Sequence, residues 1–158
     1  KARNMVKHWK AVTEEKETVE VLIELMEQVR NSSDEIGRFK EFLSQRIAEG
    51  KERIEPRWFT ILTNKLRDMQ SALDKASIMI RPYTIDKRLF ETISEKYSSL
   101  TLSALQVEKA FMSENRDQIN ISLSNLQQAK SEIDKALSDV SQGLEDWYSR
   151  ITLKTICT

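Results

Sequence analysis

The sequence predicts an all-α protein, an elongated antiparallel bundle of four or five long helices with coiled-coil-like heptad packing. Two observations lead to this prediction. Apolar residues recur at alternating steps of three and four over long stretches, which is the spacing of one face of a helix. Only 3 Gly and 2 Pro occur among 158 residues, so the chain lacks the turn residues that a β-sandwich or barrel requires.

Two helices are predicted in the first third of the chain, over residues 3–30 and 34–54. The polar run Asn31-Ser32-Ser33 is expected to separate them, with Ser33 or Asp34 as the N-cap of the second. Their apolar seams, meaning the apolar positions in helical phase, are Met5, Trp9, Val12, Val19, Ile23 and Met26, then Ile36, Phe39, Leu43, Ile47 and Ile54.

The junction at Pro56 leaves two alternatives open. Proline is tolerated in the first turn of a helix, so a new helix over 57–80 is one alternative. The seam also runs in step from Ile54 to Trp58, so a kinked but continuous helix from 34 to 80 is the other. Gly50 weakens the helix in either case.

Two more helices are predicted near 86–113 and over 115–151. Arg81-Pro82 is expected to end the preceding helix, with Asp86 at the start of the next. Ser113-Glu114-Asn115 is expected to separate the last two helices.

Two lysines interrupt the apolar seams, Lys16 in the first helix and Lys130 in the last. We expect both to extend their ammonium groups to solvent at the edge of the core. The alternative is a role in setting helix register or oligomeric state.

Five residues are expected to anchor the core: Trp9, Trp58, Trp147, Leu126 and Leu137. Each lies in phase with its apolar seam, and a buried Trp covers a large apolar area. The alternative for the three Trp residues is an exposed position that contacts a partner.

The sequence contains no pattern that indicates catalysis, a metal site or a cofactor. A single His8 and a single Cys157 exclude a Cys-built zinc site, an internal disulfide and any site with two imidazoles. The glycines at 37, 50 and 143 are not clustered as in a phosphate-binding loop. We therefore predict a protein that is not an enzyme and holds no cofactor.

The charge is balanced, and this bears on partners. A formal net charge of 0 argues against a nucleic-acid-binding or anionic-membrane surface. The exception is the start of the chain, where four basic residues between 1 and 10 precede six Glu between 14 and 27, which is typical of a solvated face or of a charge-paired docking surface. We expect other proteins as partners, further copies of this chain included, and neither nucleic acid nor a membrane. A single Cys and the high charge density favour a reducing compartment and hence a cytoplasmic location.

Two segments share a pattern around a Trp residue, Ile54-Glu55-Pro56-Arg57-Trp58-Phe59 and Leu144-Glu145-Asp146-Trp147-Tyr148. Each has an aliphatic residue, then Glu, then Trp followed by an aromatic residue. The pattern resembles the Trp-bearing end of the third helix in spectrin-like repeats. The resemblance implies that residues 57–158 form a three-helix bundle unit, and that residues 1–56 form a helical pair belonging to a preceding repeat.

These observations favour a non-enzymatic structural or protein–protein interaction module. We expect a rod-like scaffold segment, excised from a larger cytoskeletal or tethering protein. Two alternatives stay open. One is a curved helical-bundle dimer that binds membranes, which needs a basic concave face. The other is the sensory or adaptor bundle of a signalling protein, which would be flanked by membrane spans.

Overall fold

The computed structural model of the chain describes residues 2–51, 53–80 and 87–156, with their side chains over 3–51, 53–80 and 88–153. Four α-helices make up most of it: α1 (Ala2–Ala48), α2 (Phe59–Ile80), α3 (Lys87–Met112) and α4 (Arg116–Ile156). A short 3₁₀ helix over Pro56–Trp58 precedes α2. The described residues contain no strand, and the predicted all-α class is confirmed.

The helices that pack side by side are antiparallel. Arg116, at the start of α4, donates a 3.1 Å hydrogen bond to the carbonyl oxygen of Ile47, near the end of α1. Near the other end of both helices, the indole N–H of Trp147 donates to Glu15 at 2.7 Å. In the α1–α2 pair, Phe59 meets Phe39 and Lys65 lies 3.0 Å from Glu35, so the numbering falls in one helix as it rises in the other. In the α3–α4 pair, Leu89 lies beside Gly143 and Lys96 lies 3.8 Å from Glu132, which is the same direction.

One cluster of buried apolar side chains runs through all four helices. Its most deeply buried members are spaced at three- and four-residue steps, for example Leu126, Ile133, Leu137 and Leu144 in α4. The helices before and after residue 56 share this cluster. That residues 1–56 belong to a preceding repeat stays a prediction, as does heptad packing of the coiled-coil kind.

α1 is a single helix of 47 residues, so the predicted break at Asn31-Ser32-Ser33 is wrong. The two helices predicted over 3–30 and 34–54 are therefore one. Polar runs favour helix ends because their side chains compete for the local backbone. Ser33 is fully buried and instead donates a 2.6 Å hydrogen bond to Asp134 of α4, so its hydroxyl does not disturb the helix.

α1 ends at a glycine in the left-handed conformation, Gly50, with φ +76°. The N–H of Gly50 donates to Ile47 O at 3.0 Å, and the N–H of Lys51 donates to Arg46 O at 2.9 Å. These are the two hydrogen bonds of a Schellman motif. A break before Pro56 is therefore correct, and the alternative of a continuous helix from 34 to 80 is wrong.

The predicted break between the last two helices is confirmed. Glu114 has φ +56°, and the side chain of Asn115 caps α4 by accepting a 3.2 Å hydrogen bond from the N–H of Gln118. The expectations for Arg81-Pro82 and Asp86 lie outside the described residues, between the end of α2 and the start of α3.

Candidate functional site

The five predicted core anchors divide into three groups. Leu126 and Leu137 are buried, and Trp58 and Trp147 are half-buried against the core cluster. Trp9 is 47% exposed, so its prediction as a core anchor is wrong. The antiparallel register explains the difference, because it places only the last turn of α4 beside Trp9.

A polar cluster lies inside the α1–α4 contact, around Lys130. The Lys130 ammonium is 2.6 Å from Asp134 and 3.7 Å from Asp34, and the lysine side chain is only 15% exposed. A Cβ built on Gly37 would lie 2.6 Å from Lys130 Cε, so the glycine leaves the space through which the lysine crosses α1. Ser33 completes the cluster through its hydrogen bond to Asp134.

This geometry favours the second alternative for Lys130, a role in setting register. Its ammonium is paired across the helix interface, with a glycine opposite its stem and carboxylates from both helices at its tip. Sliding either helix by one turn would move the lysine stem off Gly37 and separate its ammonium from Asp34. It would also break the hydrogen bond from Ser33 to Asp134 and leave the buried Ser33 hydroxyl without a partner, which is unfavourable. The cluster thus specifies one alignment of α1 on α4.

Aromatic side chains converge at the end of the bundle where α1 turns into α2. The Arg46 guanidinium carbon lies 5.0 Å from the centroid of the Trp58 ring and 5.9 Å from that of Phe42. Phe59 meets Phe39 edge-on, with 5.9 Å between ring centroids, and lies 5.8 Å from Phe111. Trp58 therefore covers the turn with a cation against its ring, instead of filling the centre of the core.

A second set of contacts joins α4 to the N-terminal part of α1. Besides the bond from Trp147 to Glu15, the Tyr148 hydroxyl donates to Glu20 at 3.3 Å. The ammonium of Lys16 lies 5.7 Å from the centroid of the Tyr148 ring. Lys16, expected to reach into solvent, instead lies over an aromatic face that belongs to the facing helix.

A groove of about 490 Å³ lies between α2 and α3. Its apolar lining includes Leu73, Ile80 and Phe90, and Glu91 and Glu95 lie at its exposed edge. The volume is within the range of small binding pockets. The sequence analysis missed this groove because its walls come from two helices whose separation cannot be deduced from apolar spacing.

Lys65 of α2 lies against a carboxylate of α1. Hydrogen bonding and charge attraction from Glu35 raise the pKa of Lys65, and Asp68, 3.8 Å away, contributes in the same direction. A carboxylate next to a lysine stabilises the charged form of the lysine. This pair is therefore an ion pair at the α1–α2 surface.

The described residues contain no group of three or more His, Cys, Asp or Glu that could hold a metal ion. His8 is exposed on α1, and Cys157 lies outside the described residues. None of the helices, over the part of the chain that the structure describes, is long and apolar enough to cross a membrane. That the protein is not an enzyme stays a prediction.

Comparison with known proteins adds no family assignment. No protein-family model matches the sequence, and no curated protein or solved structure is detectably similar to it. The fold and its surfaces therefore define the class, an all-α helical bundle with a polar cluster between α1 and α4.

Proposed function

We propose that the chain is a non-enzymatic structural module, a rod-like segment that holds parts of a larger scaffold or tethering protein at a set distance. The observation that carries this proposal is the pairing of α1 with α4 along most of their lengths. The contacts run from Arg116–Ile47 at one end to Trp147–Glu15 at the other. At 1.5 Å per residue, the 47 residues of α1 span about 70 Å.

Two further features support a constant length. The Lys130 cluster opposes sliding of α1 against α4, because a shift would move the lysine stem off Gly37 and break the contacts of Lys130 with Asp34 and of Ser33 with Asp134. α1 also has no interruption between Ala2 and Ala48, so no hinge occurs within it. A spacer requires both properties, resistance to sliding and resistance to bending.

The distance between two spin labels on α1 tests this proposal. With Cys157 replaced by Ser, labels at the exposed positions Thr13→Cys and Glu41→Cys should give a narrow distribution centred at about 42 Å, from the rise per residue of a straight helix. Dilution with unlabelled protein removes distances between molecules. A short or broad distribution would contradict a rigid spacer.

A variant with a broken α1 provides the control. Asn31 is exposed in the middle of α1, and proline in a helix interior removes a hydrogen bond and clashes with the preceding turn. Asn31→Pro should therefore broaden the distribution between the same two labels. An unchanged distribution in this variant would mean that the measurement does not report the continuity of α1.

A second candidate function is an adaptor whose α2–α3 groove binds a basic amphipathic helix from another protein. The specific observation is the pairing of an apolar lining with Glu91 and Glu95 at the edge. Neither carboxylate forms an ion pair within the described residues, so both are available to a cationic partner. An amphipathic helix in an apolar groove is a common form of recognition.

A labelled model peptide tests the adaptor function. The probe is an 18-residue helix of Leu and Lys in amphipathic order, and its matched control is a scrambled peptide of equal composition. Fluorescence anisotropy should show binding of the first only, lost on Glu91→Lys/Glu95→Lys and retained on Ile78→Ala, an exposed position of α2. Equal binding of both peptides would remove this candidate.

A further inference from the structure

One exposed face of α1 is basic at one end and acidic at the other. We call it the charged stripe, and its members recur at alternating steps of four and three: Arg3, Lys7, Lys10, Glu14, Glu17, Val21 and Glu24. Every member is exposed. Within the part of the chain that the structure describes, none of its charged side chains forms an ion pair.

The charged stripe lies away from the neighbouring helices. α4 contacts this part of α1 through Glu15, Lys16 and Glu20, which bind Trp147 and Tyr148. α2 reaches α1 further along, since Lys65 lies beside Glu35. Continuing that antiparallel register residue for residue puts the end of α2 beside about residue 20 of α1. Most of the charged stripe is therefore uncovered.

We propose that the charged stripe binds the charged stripe of a second copy of this chain, in antiparallel orientation. A two-fold axis between residues 13 and 14 places Lys10 beside Glu17 of the second copy, and Arg3 beside Glu24. In a two-fold interface every pair occurs twice, so these contacts make four ion pairs. The same register sets Val6, 67% exposed, against Val21, 40% exposed.

Charge selects this arrangement over other pairings of two copies. A parallel pair would place basic residues on basic residues and acidic on acidic, and like charges in contact repel. An antiparallel pair centred on Trp9 would bring Lys7 and Lys10 of both copies together. Only a register near the one proposed matches both ends of the stripe with opposite charge.

The charge order also disfavours an anionic membrane as the occupant. The first turns of α1 combine Arg3, Lys7 and Lys10 with exposed Met5 and Trp9, as an interfacial helix does. The acidic half of the stripe begins at Glu14, one turn later. An anionic lipid surface would repel that half, whereas a second copy pairs it.

This inference does not rest on the proposed spacer function, since a spacer can act as a monomer. The test of the dimer can therefore fail while the test of the spacer succeeds, and the reverse.

Sedimentation with two opposite charge-reversal variants tests the proposal. Arg3→Glu/Lys10→Glu reverses the two basic residues of the proposed ion pairs, and Glu17→Lys/Glu24→Lys reverses the two acidic ones. Each variant alone should sediment as a monomer at concentrations where the wild type dimerises at 50 mM salt. An equimolar mixture should form a heterodimer, because all four contacts between the two variants are then attractive. For the wild type, we expect about a tenfold weaker association at 500 mM salt.

Matched controls separate this contact from attraction between net charges. Lys75→Glu/Lys135→Glu changes two exposed lysines elsewhere and should dimerise like the wild type. In a second control, fluorescently labelled Arg3→Glu/Lys10→Glu protein is mixed with the Glu91→Lys/Glu95→Lys protein, which has the opposite net charge but an unchanged charged stripe. The labelled protein should stay monomeric in this mixture. Circular dichroism checks that every variant folds.

Two results would overturn the proposal. The first is a mixture of the reversal variants that remains monomeric. The second is a monomeric wild type that binds phosphatidylserine vesicles and loses this binding on Arg3→Glu/Lys10→Glu, which would assign the basic half of the stripe to a membrane.

Discussion

At the scale of single residues, the interior of the α1–α4 contact depends on Gly37 as much as on Lys130. The two are 93 positions apart in the sequence, yet the absent side chain of one makes room for the other. Sequence analysis identifies Lys130 as an interruption of a seam but cannot identify Gly37, because nothing in the local pattern states which residue the lysine will cross.

The first prediction concerns the coupling of these two residues. Alanine has a higher helix propensity than glycine, so Gly37→Ala should stabilise a Lys130→Ala protein by about 1 kcal/mol. In the wild type the new methyl group displaces Lys130 from its carboxylates, so Gly37→Ala should stabilise the protein less or destabilise it. The free energy of coupling between the two substitutions should be about 1–2 kcal/mol. Urea unfolding of the wild type, the two single variants and the double variant measures this coupling. An equal effect of Gly37→Ala with and without Lys130 would contradict the contact between Lys130 and Gly37.

A second prediction compares Trp9 with Trp147. Trp9→Ala should change the free energy of unfolding by about 0.5 kcal/mol or less, because its ring is largely exposed. Trp147→Ala should cost about 2–3 kcal/mol, since it removes packing on the core and the hydrogen bond to Glu15. Similar losses in the free energy of unfolding at both positions would contradict the exposed position of Trp9 near the start of α1.

At the scale of the elements, the helix ends are decided by backbone conformation. Gly50 and Glu114 both have positive φ, which costs a residue with a Cβ about 1–2 kcal/mol. Gly50 has no Cβ and adopts this conformation without that cost, whereas Glu114 has a Cβ and bears it. The difference leaves α3 with a strained end that a substitution can relieve.

The third prediction follows from those two ends. Glu114→Gly should raise the free energy of unfolding by about 0.5–1 kcal/mol, and Gly50→Ala should lower it by about 1 kcal/mol. Thermal unfolding of each variant measures both effects. A stabilising Gly50→Ala would contradict the Schellman motif.

The fourth prediction tests the seam of α4. Leu126→Ala and Leu137→Ala should each cost about 2–5 kcal/mol, because both side chains are buried. Glu132→Ala should cost about 0–1 kcal/mol, since its contact with Lys96 is a surface ion pair at 3.8 Å. Urea unfolding measures these losses in the free energy of unfolding. Small and equal losses at all three positions would contradict the assignment of Leu126 and Leu137 to the buried face of α4.

Apolar spacing predicted α2, α3 and α4, and the prediction failed in α1, where a polar side chain has a distant partner. The helices predicted over 57–80, near 86–113 and over 115–151 and the break at Ser113-Glu114-Asn115 agree with the structure. The break predicted at Asn31-Ser32-Ser33 is absent, because the Ser33 hydroxyl donates its hydrogen bond to Asp134, a residue 101 positions away. The α2–α3 groove and the Arg46 contacts also depend on which helices become neighbours, and the pattern within one helix carries no such information.

At the scale of the whole molecule, the proposed rod shape has a measurable consequence. A compact chain of this length has a radius of gyration of about 15 Å, whereas a rod as long as α1 has one of about 20 Å or more. Small-angle scattering of the monomeric Arg3→Glu/Lys10→Glu variant should give the larger value. A value near that of a sphere would contradict the rod but leave the contact between charged stripes untouched.

The N-terminal turns of α1 lie at the edge of this architecture. Residues 3–11 are exposed, and the side-chain contacts with Trp147 and Tyr148 begin only at Glu15. Such a segment can fray and re-form while the interior stays intact. At concentrations where the protein is monomeric, trypsin should therefore nick after Arg3, Lys7 or Lys10 well before it cuts between 22 and 47, and the shortened product should melt at nearly the same temperature as the intact chain.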